Sequence, residues 1–267
     1  MVPSKQNHSR NTLIRTLGAE EYAAIARHLR RVELHEGDRL ATNDKVIDAL
    51  WFPESAVVSC TDVFGLGSRV EIGMVGYEGM IGWPLLLETQ TSAHDVIVQV
   101  GGGTALRVDA RPFLEICHAS PSVAVLFRRY INAFTVQIGR TAVSNLRDPV
   151  ERRLSRWLLM CHDRLDGDEI DLTHKTIATT LGVRRASITD SLHNLEGERM
   201  ISNRRGRIVI SDRNKLQLLA GDGYGHAEAH YSRTIAPFGK SGPSVHEVER
   251  VHKPDPLLME LIPAGFA

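Results

Sequence analysis

Residues 172–211 read LTHKTIATTLGVRRASITDSLHNLEGERMISNRRGRIVIS. Thr173 stands where a helix N-cap belongs, ahead of HKTIATTL, in which Ile177 and Leu181 fall on one face. Gly182 supplies the left-handed residue of a tight turn, and Val183 plugs the corner. A second helix follows, with Ile188, Leu192 and Leu195 inward. This spacing predicts a helix-turn-helix. Downstream, ISNRRGRIVIS reads as a hairpin with Arg205-Gly206 at its tip, which adds a wing.

The outward positions Arg184, Arg185, Ser187 and Thr189 are donors able to reach guanine edges or phosphates in a major groove. Thr173, His174 and Lys175 are expected on phosphate, and Arg204, Arg205 and Arg207 on the flanking backbone. Between Leu172 and Ile210 seven bases stand against three acids, a local charge of +4. The whole chain is neutral, with 32 Lys+Arg and 32 Asp+Glu. Any attraction for a polyanion is therefore local to this segment.

Upstream, Pro121 opens a segment in which Val123, Leu126, Phe127, Tyr130, Ile131, Phe134 and Ile138 recur at helical spacing through residue 146. A helix of 26 residues would span about 39 Å, longer than one small domain needs for cover. Leu126, Phe127, Tyr130, Ile131, Phe134 and Ile138 are expected to form a dimer seam. Val125, Ala133, Val136 and Val143 lie off that stripe and form a second apolar face. Asp148-Pro149 is expected to cap and start the next helix, VERRLSRWLLMCHDRL, with DGDEID as a polar turn.

Residues 13–31 have the spacing of one or two short amphipathic helices. From Val32 to Val108 short apolar segments are cut by Gly, Asp and Pro at intervals of about ten residues, the pattern of antiparallel strands in a sandwich or barrel. The expected class is α+β, in five parts: a flexible N-terminus (1–12), a β-barrel (13–120), a dimerisation helix (121–147), a winged helix-turn-helix (148–220) and a mostly disordered tail (221–267). Within that tail, PLLMELI is a candidate short helix.

With 267 residues, 42% hydrophobic and 24% charged, the chain has the composition of an ordinary globular protein. Cys60, Cys117 and Cys161 lack CxxC spacing, which disfavours a disulfide framework or thiolate zinc site and suits a reducing cytosol. No apolar run is long enough for a membrane span, and the first residues have no secretory h-region, so a cytoplasmic protein is expected. No GxSxG, HExxH or P-loop occurs, and Gly101-Gly102-Gly103 sits in a strand turn, so an enzyme is not expected.

Over residues 13–220 the chain resembles the Crp/Fnr family of bacterial transcription regulators. The resemblance rests on HEGDRL, WFPESAVVS, EIGMVGYEGMIGWPLLL, the long helix and the winged motif. It implies a cyclic-nucleotide-binding-like jelly-roll barrel, a dimerising central helix, and DNA domains that read a palindromic operator as a homodimer, with RNA polymerase as a further partner. Members that bind cyclic AMP carry a Gly-Glu pair and, about ten residues later, an Arg-Ser/Thr-Ala run. Here these positions read Gly82-Trp83-Pro84 and Thr91-Ser92-Ala93, without either charged ligand. A buried cyclic phosphate would lack its counter-charge, so cyclic AMP binding is not expected.

Trp83 is expected to fill the pocket, and Gly82, Trp83, Thr91, Ser92 and Ala93 would line any effector site. No cysteine precedes Cys60, which argues against the iron-sulfur cluster of the family's oxygen sensors. Haem, through His35, Cys60 or His94, or another small molecule remains an alternative effector. In the catabolite-activator type the recognition helix reads Arg-Glu, then Arg four residues on. Here Arg185 is kept, while Ala186 and Asp190 replace its partners, so the operator should differ. Asp190 could pair with Arg185 or accept from cytosine N4.

Overall fold

The computed structural model describes Gln6 and residues 9–64 and 68–240. Helices α1 (Thr12–Thr16) and α2 (Ala19–Ala26) precede seven strands: β1 (Arg30–Leu34), β2 (Arg39–Ala41), β3 (Ala49–Pro53), β4 (Val57–Phe64), β5 (Ser68–Val75), β6 (Asp95–Val100) and β7 (Gly103–Asp109). They pair antiparallel into two sheets, β1-β7-β3 and β2-β6-β4-β5. The architecture is a jelly roll of two facing sheets, as the strand spacing led one to expect. Strand β3 reads ALWFP and buries Leu50 and Phe52 completely, so each sheet contributes to one apolar layer.

After α3 (Ala110–Ala119), α4 (Pro121–Arg147) runs 27 residues, about 40 Å. Its N-terminus has proline in the first turn, and it stops at Asp148, whose carboxylate accepts from Ser144 Oγ at 2.7 Å. The stripe Val123, Phe127, Tyr130 and Phe134 closes the jelly roll, and Phe127 is fully buried against Phe52 and Phe113. Contact with β5 is close enough that a Cβ at Gly73 would stand 2.7 Å from the Phe134 ring. Gln137 extends the contact by hydrogen bonding both backbone groups of Met74, at 2.7 and 3.1 Å.

Three residues of the expected seam are thereby corrected. Phe127, Tyr130 and Phe134 belong to the monomer's own core, where burying each ring stabilises the fold by roughly 1.5–3 kcal/mol, and Leu126, Ile131 and Ile138 are half-buried beside them. The open face of α4 lies opposite. Val125, Arg129, Asn132, Val136, Gly139, Val143 and Leu146 follow each other by alternating steps of four and three, the heptad seam of a coiled coil. Val125, Val143 and Leu146 on it are exposed.

The C-terminal region contains α5 (Val150–Arg164), β8 (Glu169–Asp171), α6 (His174–Leu181), α7 (Arg185–Gly197), β9 (Ile201–Arg204), β10 (Arg207–Ile210) and α8 (Arg213–Ala220). The wing is a three-stranded sheet, β8-β10-β9. DGDEID, read as a turn, thus contributes an edge strand, because Ile170 pairs with Ile208 and is fully buried. Asp148 ends α4 rather than capping α5, whose cap is Pro149. The core of this region reaches into the jelly roll through Val57, Met74 and Val100.

Both termini also depart from expectation. Residues 9–12 are anchored: Asn11 is buried, caps α1, and donates to the carbonyls of Pro53 and Gly79. Beyond Ala220 the chain forms a further helix, α9 (His226–Thr234), that packs along α4 and buries Ala227 and Tyr231. PLLMELI lies outside the described residues.

Candidate nucleic-acid interface

Helix α6 begins at Thr173, whose hydroxyl accepts from the Thr176 amide at 3.1 Å. It ends at Gly182, which is left-handed (φ +62°), as the turn requires. The Val183 amide then bonds back to the Ala178 carbonyl at 3.0 Å, folding the chain into α7. Ile177, Ile188, Leu192 and Leu195 are buried between the two helices, so the register of each is fixed by its apolar face.

With that face inward, Arg184, Arg185, Ala186, Thr189, Asp190 and His193 are exposed. Ser187 is half-buried. Among the described residues, the guanidinium groups of Arg184, Arg185, Arg204 and Arg205 meet no carboxylate, and Asp190 forms no pair with Arg185. A free guanidinium at the start of a recognition helix has its full set of donors available for a guanine edge or phosphates.

Two expected phosphate contacts are otherwise engaged. His174 faces Thr189 Oγ1 of α7 at 3.2 Å and Asn203 of β9 at 3.4 Å, so it links the first helix, the recognition helix and the wing. The backbone N–H of Asn203 donates to the Glu196 carboxylate of α7 at 2.8 Å, completing that link. Arg207 binds Asp171 at 2.6 Å and Glu169 at 2.7 Å, which assigns it to the β8-β10 pairing. Arg204 and Arg205, at the left-handed turn of Gly206, remain exposed, as do Thr173 and Lys175. None of these ties shows in helical periodicity, since each joins residues distant in the chain.

The motif leans on the four-stranded sheet of the jelly roll. A Cβ at Gly182 would stand 2.6 Å from Val70 of β5, and Gln99 of β6 donates to Thr180 Oγ1 at 2.9 Å. Deeper in the contact, Glu71 of β5 accepts from Trp157 Nε1 at 2.9 Å and from the Ser59 hydroxyl. Burial pushes the Glu71 carboxyl up to about 7, against the opposing pull of those two hydrogen bonds and of Arg156 and Arg164.

Between its ordinary value near 4.5 and about 7 the unfolded chain has released the proton while the folded chain holds it. Folding stability therefore falls as pH rises through that window, and the loss is complete above it. Glu71→Gln keeps an acceptor for Trp157 and removes the titration. Denaturant unfolding is expected to find it more stable than the parent at pH 8, by about 3 kcal/mol, and little different near pH 4. Equal pH dependence of the two proteins would refute the assignment.

The five residues expected around an effector differ in their surroundings. Gly82 is left-handed (φ +94°) and lies against Ala49 and Leu50, while Trp83 packs on the Phe134 ring of α4, 4.7 Å between centroids. Ser92 is buried and its hydroxyl donates to the His94 carbonyl at 2.7 Å, whereas Thr91 and Ala93 are exposed. Trp83 thus fills space against the helix.

Comparison with known proteins agrees with this geometry. The family model for the Crp-like helix-turn-helix domain matches residues 152–219. The HTH-type transcriptional regulator Cmr of Mycobacterium tuberculosis (strain CDC 1551 / Oshkosh) is 24% identical over 214 residues, 76% of this chain and 82% of Cmr. Among solved structures, FixK2 from Bradyrhizobium japonicum superposes with a TM-score of 0.62 at 13% identity, covering 72% of this chain and 96% of FixK2. A CRP-family transcriptional regulator from Thermus thermophilus, TTHB099, gives 0.60 at 16% identity, covering 72% and 97%.

Proposed function

We propose, from the premise that this chain is a Crp/Fnr-type transcription regulator with a DNA-binding helix-turn-helix, that it acts as a homodimer on a palindromic operator and does not answer to cyclic AMP. The observation that carries this reading is the pair Arg184 and Arg185, exposed at the start of α7 and free of carboxylates among the described residues. Arg185 reads a guanine edge, and Asp190, also exposed, offers an acceptor one turn further on. Arg184, Lys175, Thr173 and the wing residues Arg204 and Arg205 hold the flanking phosphates.

Dimerisation is assigned to the heptad face of α4, which points away from the monomer core. Two α7 helices would then enter successive major grooves about 34 Å apart. The cassette at Thr91-Ser92-Ala93 has no arginine for a cyclic phosphate, and the Ser92 hydroxyl is already engaged by His94. Regulation of RNA polymerase is the expected output, in the cytoplasm. Among the described residues no helix is long and apolar enough to cross a membrane.

Selection of bound sequences from a random duplex pool tests the reading. The enriched sequences are expected to form an inverted repeat with half-site centres about 10 base pairs apart. Enrichment of a single unrepeated motif would contradict the homodimer.

A further inference from the structure

We propose that residues 221–240 are a strap that positions the DNA-binding domain on the sensor and thereby sets the half-site spacing the dimer accepts. This rests on the dimeric DNA-binding reading given above. The matched domain ends at residue 219, and the chain then turns back across the joint between the two halves of the molecule.

The strap touches α4, α5, α8 and the loop that follows β5. Arg156 of α5 donates to the Gly223 carbonyl at 2.8 Å and to Thr141 of α4 at 3.1 Å, so one guanidinium holds three segments together. The Tyr224 hydroxyl donates to Asp163 of α5 and accepts from Arg213 of α8 at 2.6 Å. Gly225, left-handed at φ +98°, starts α9, where Ala227 and Tyr231 bury against α4. The Tyr231 hydroxyl donates to the Glu78 carbonyl of the sensor at 2.6 Å, and His230 meets Asn132 of α4 at 2.9 Å. Further on, the Phe238 ring packs at a tilt against those of Tyr231 and Tyr77, and the Lys240 amide returns to Asp163 at 3.0 Å.

Beneath the strap lies the one contact that most needs a cover. Arg164 of α5 pairs with Glu78 of the sensor at 2.8 Å, both almost fully buried, and the Phe238 ring lies 5.0 Å from the guanidinium. A buried ion pair holds only while its partners stay paired and dry, so loosening the cover weakens a link between the domains. Besides the strap, the DNA-binding domain is held by the covalent joint at Asp148-Pro149, by contacts with β4, β5 and β6 at Val57, Glu71, Met74, Gln99 and Val100, and by the exposed pair of Arg10 with Asp166. The strap adds a buried attachment at the far end of α5 that restrains rotation about the joint, and two domains that do not rotate present their recognition helices at one separation.

Tyr231→Phe, which keeps the ring and loses the bond to Glu78, and Phe238→Ala test the strap in the full chain. Palindromic duplexes taken from the pool selection are varied by one or two base pairs between half-sites. The parent is expected to favour one spacing by about tenfold or more, and the variants to bind all spacings within about threefold, with unchanged dimer mass. Calorimetry without DNA gives an independent readout: one transition for the parent, and separate sensor and DNA-domain transitions for Phe238→Ala. Variants that keep both the spacing preference and a single transition would overturn the strap. A parent protein indifferent to every palindrome would instead refute the dimeric reading, with calorimetry still deciding the strap.

Discussion

Arg185→Ala should weaken binding to the preferred operator by about 1–3 kcal/mol per half-site and flatten base preference at one position in each half. With two copies on a palindrome, as proposed, the combined loss would be about 2–6 kcal/mol, the size of much of the margin between specific and non-specific binding. The expectation follows from where the side chain sits. Arg185 is at the first turn of α7, exposed, and tied to no acid among the described residues, so nothing in the free protein offsets its loss. Its removal leaves the inward residues Ile188, Leu192 and Leu195 untouched, and thermal stability should barely move. Replacing Arg204 should act differently, lowering affinity for all sequences alike and reducing the salt dependence by about one charge. Unchanged base preference in Arg185→Ala would remove Arg185 from the reading face.

The winged motif was legible in the sequence because every local signal agrees there. Thr173 caps, Gly182 turns, Val183 fills the corner, and two apolar faces have the period of a helix. The jelly roll was legible as alternating strands between turn residues. The orientation of α4 was not, because both its faces carry apolar residues. The face with Phe127, Tyr130 and Phe134 is the more hydrophobic, and it serves the monomer; the heptad face includes Arg129, Asn132 and Gly139 and is weaker by composition. Hydrophobicity ranks faces by burial, and burial inside one chain competes with burial between two. Helix α9 escaped notice for a related reason, since Ala227 and Tyr231 alone mark its inner side. Strand β8, three residues with one buried isoleucine, is too short for any period to show.

The second large effect concerns the heptad face. Val143→Glu combined with Leu146→Glu places two charges where the monomer leaves the side chains about half and almost fully exposed (49% and 87%). The isolated fold loses little. In a two-stranded seam the four new carboxylates would lie near one another and away from water, an arrangement that like-charge repulsion and desolvation forbid. The variant is expected to be a folded monomer with operator affinity lowered by about a hundredfold or more, because each half-site must then be bound without help from the other.

Sedimentation equilibrium of the parent protein with a fluorescent palindromic duplex measures the number of copies directly. Two chains per duplex at saturation, and a dimer in the absence of DNA, are predicted. A single chain per duplex at saturation, with a monomer in free solution, would contradict the account.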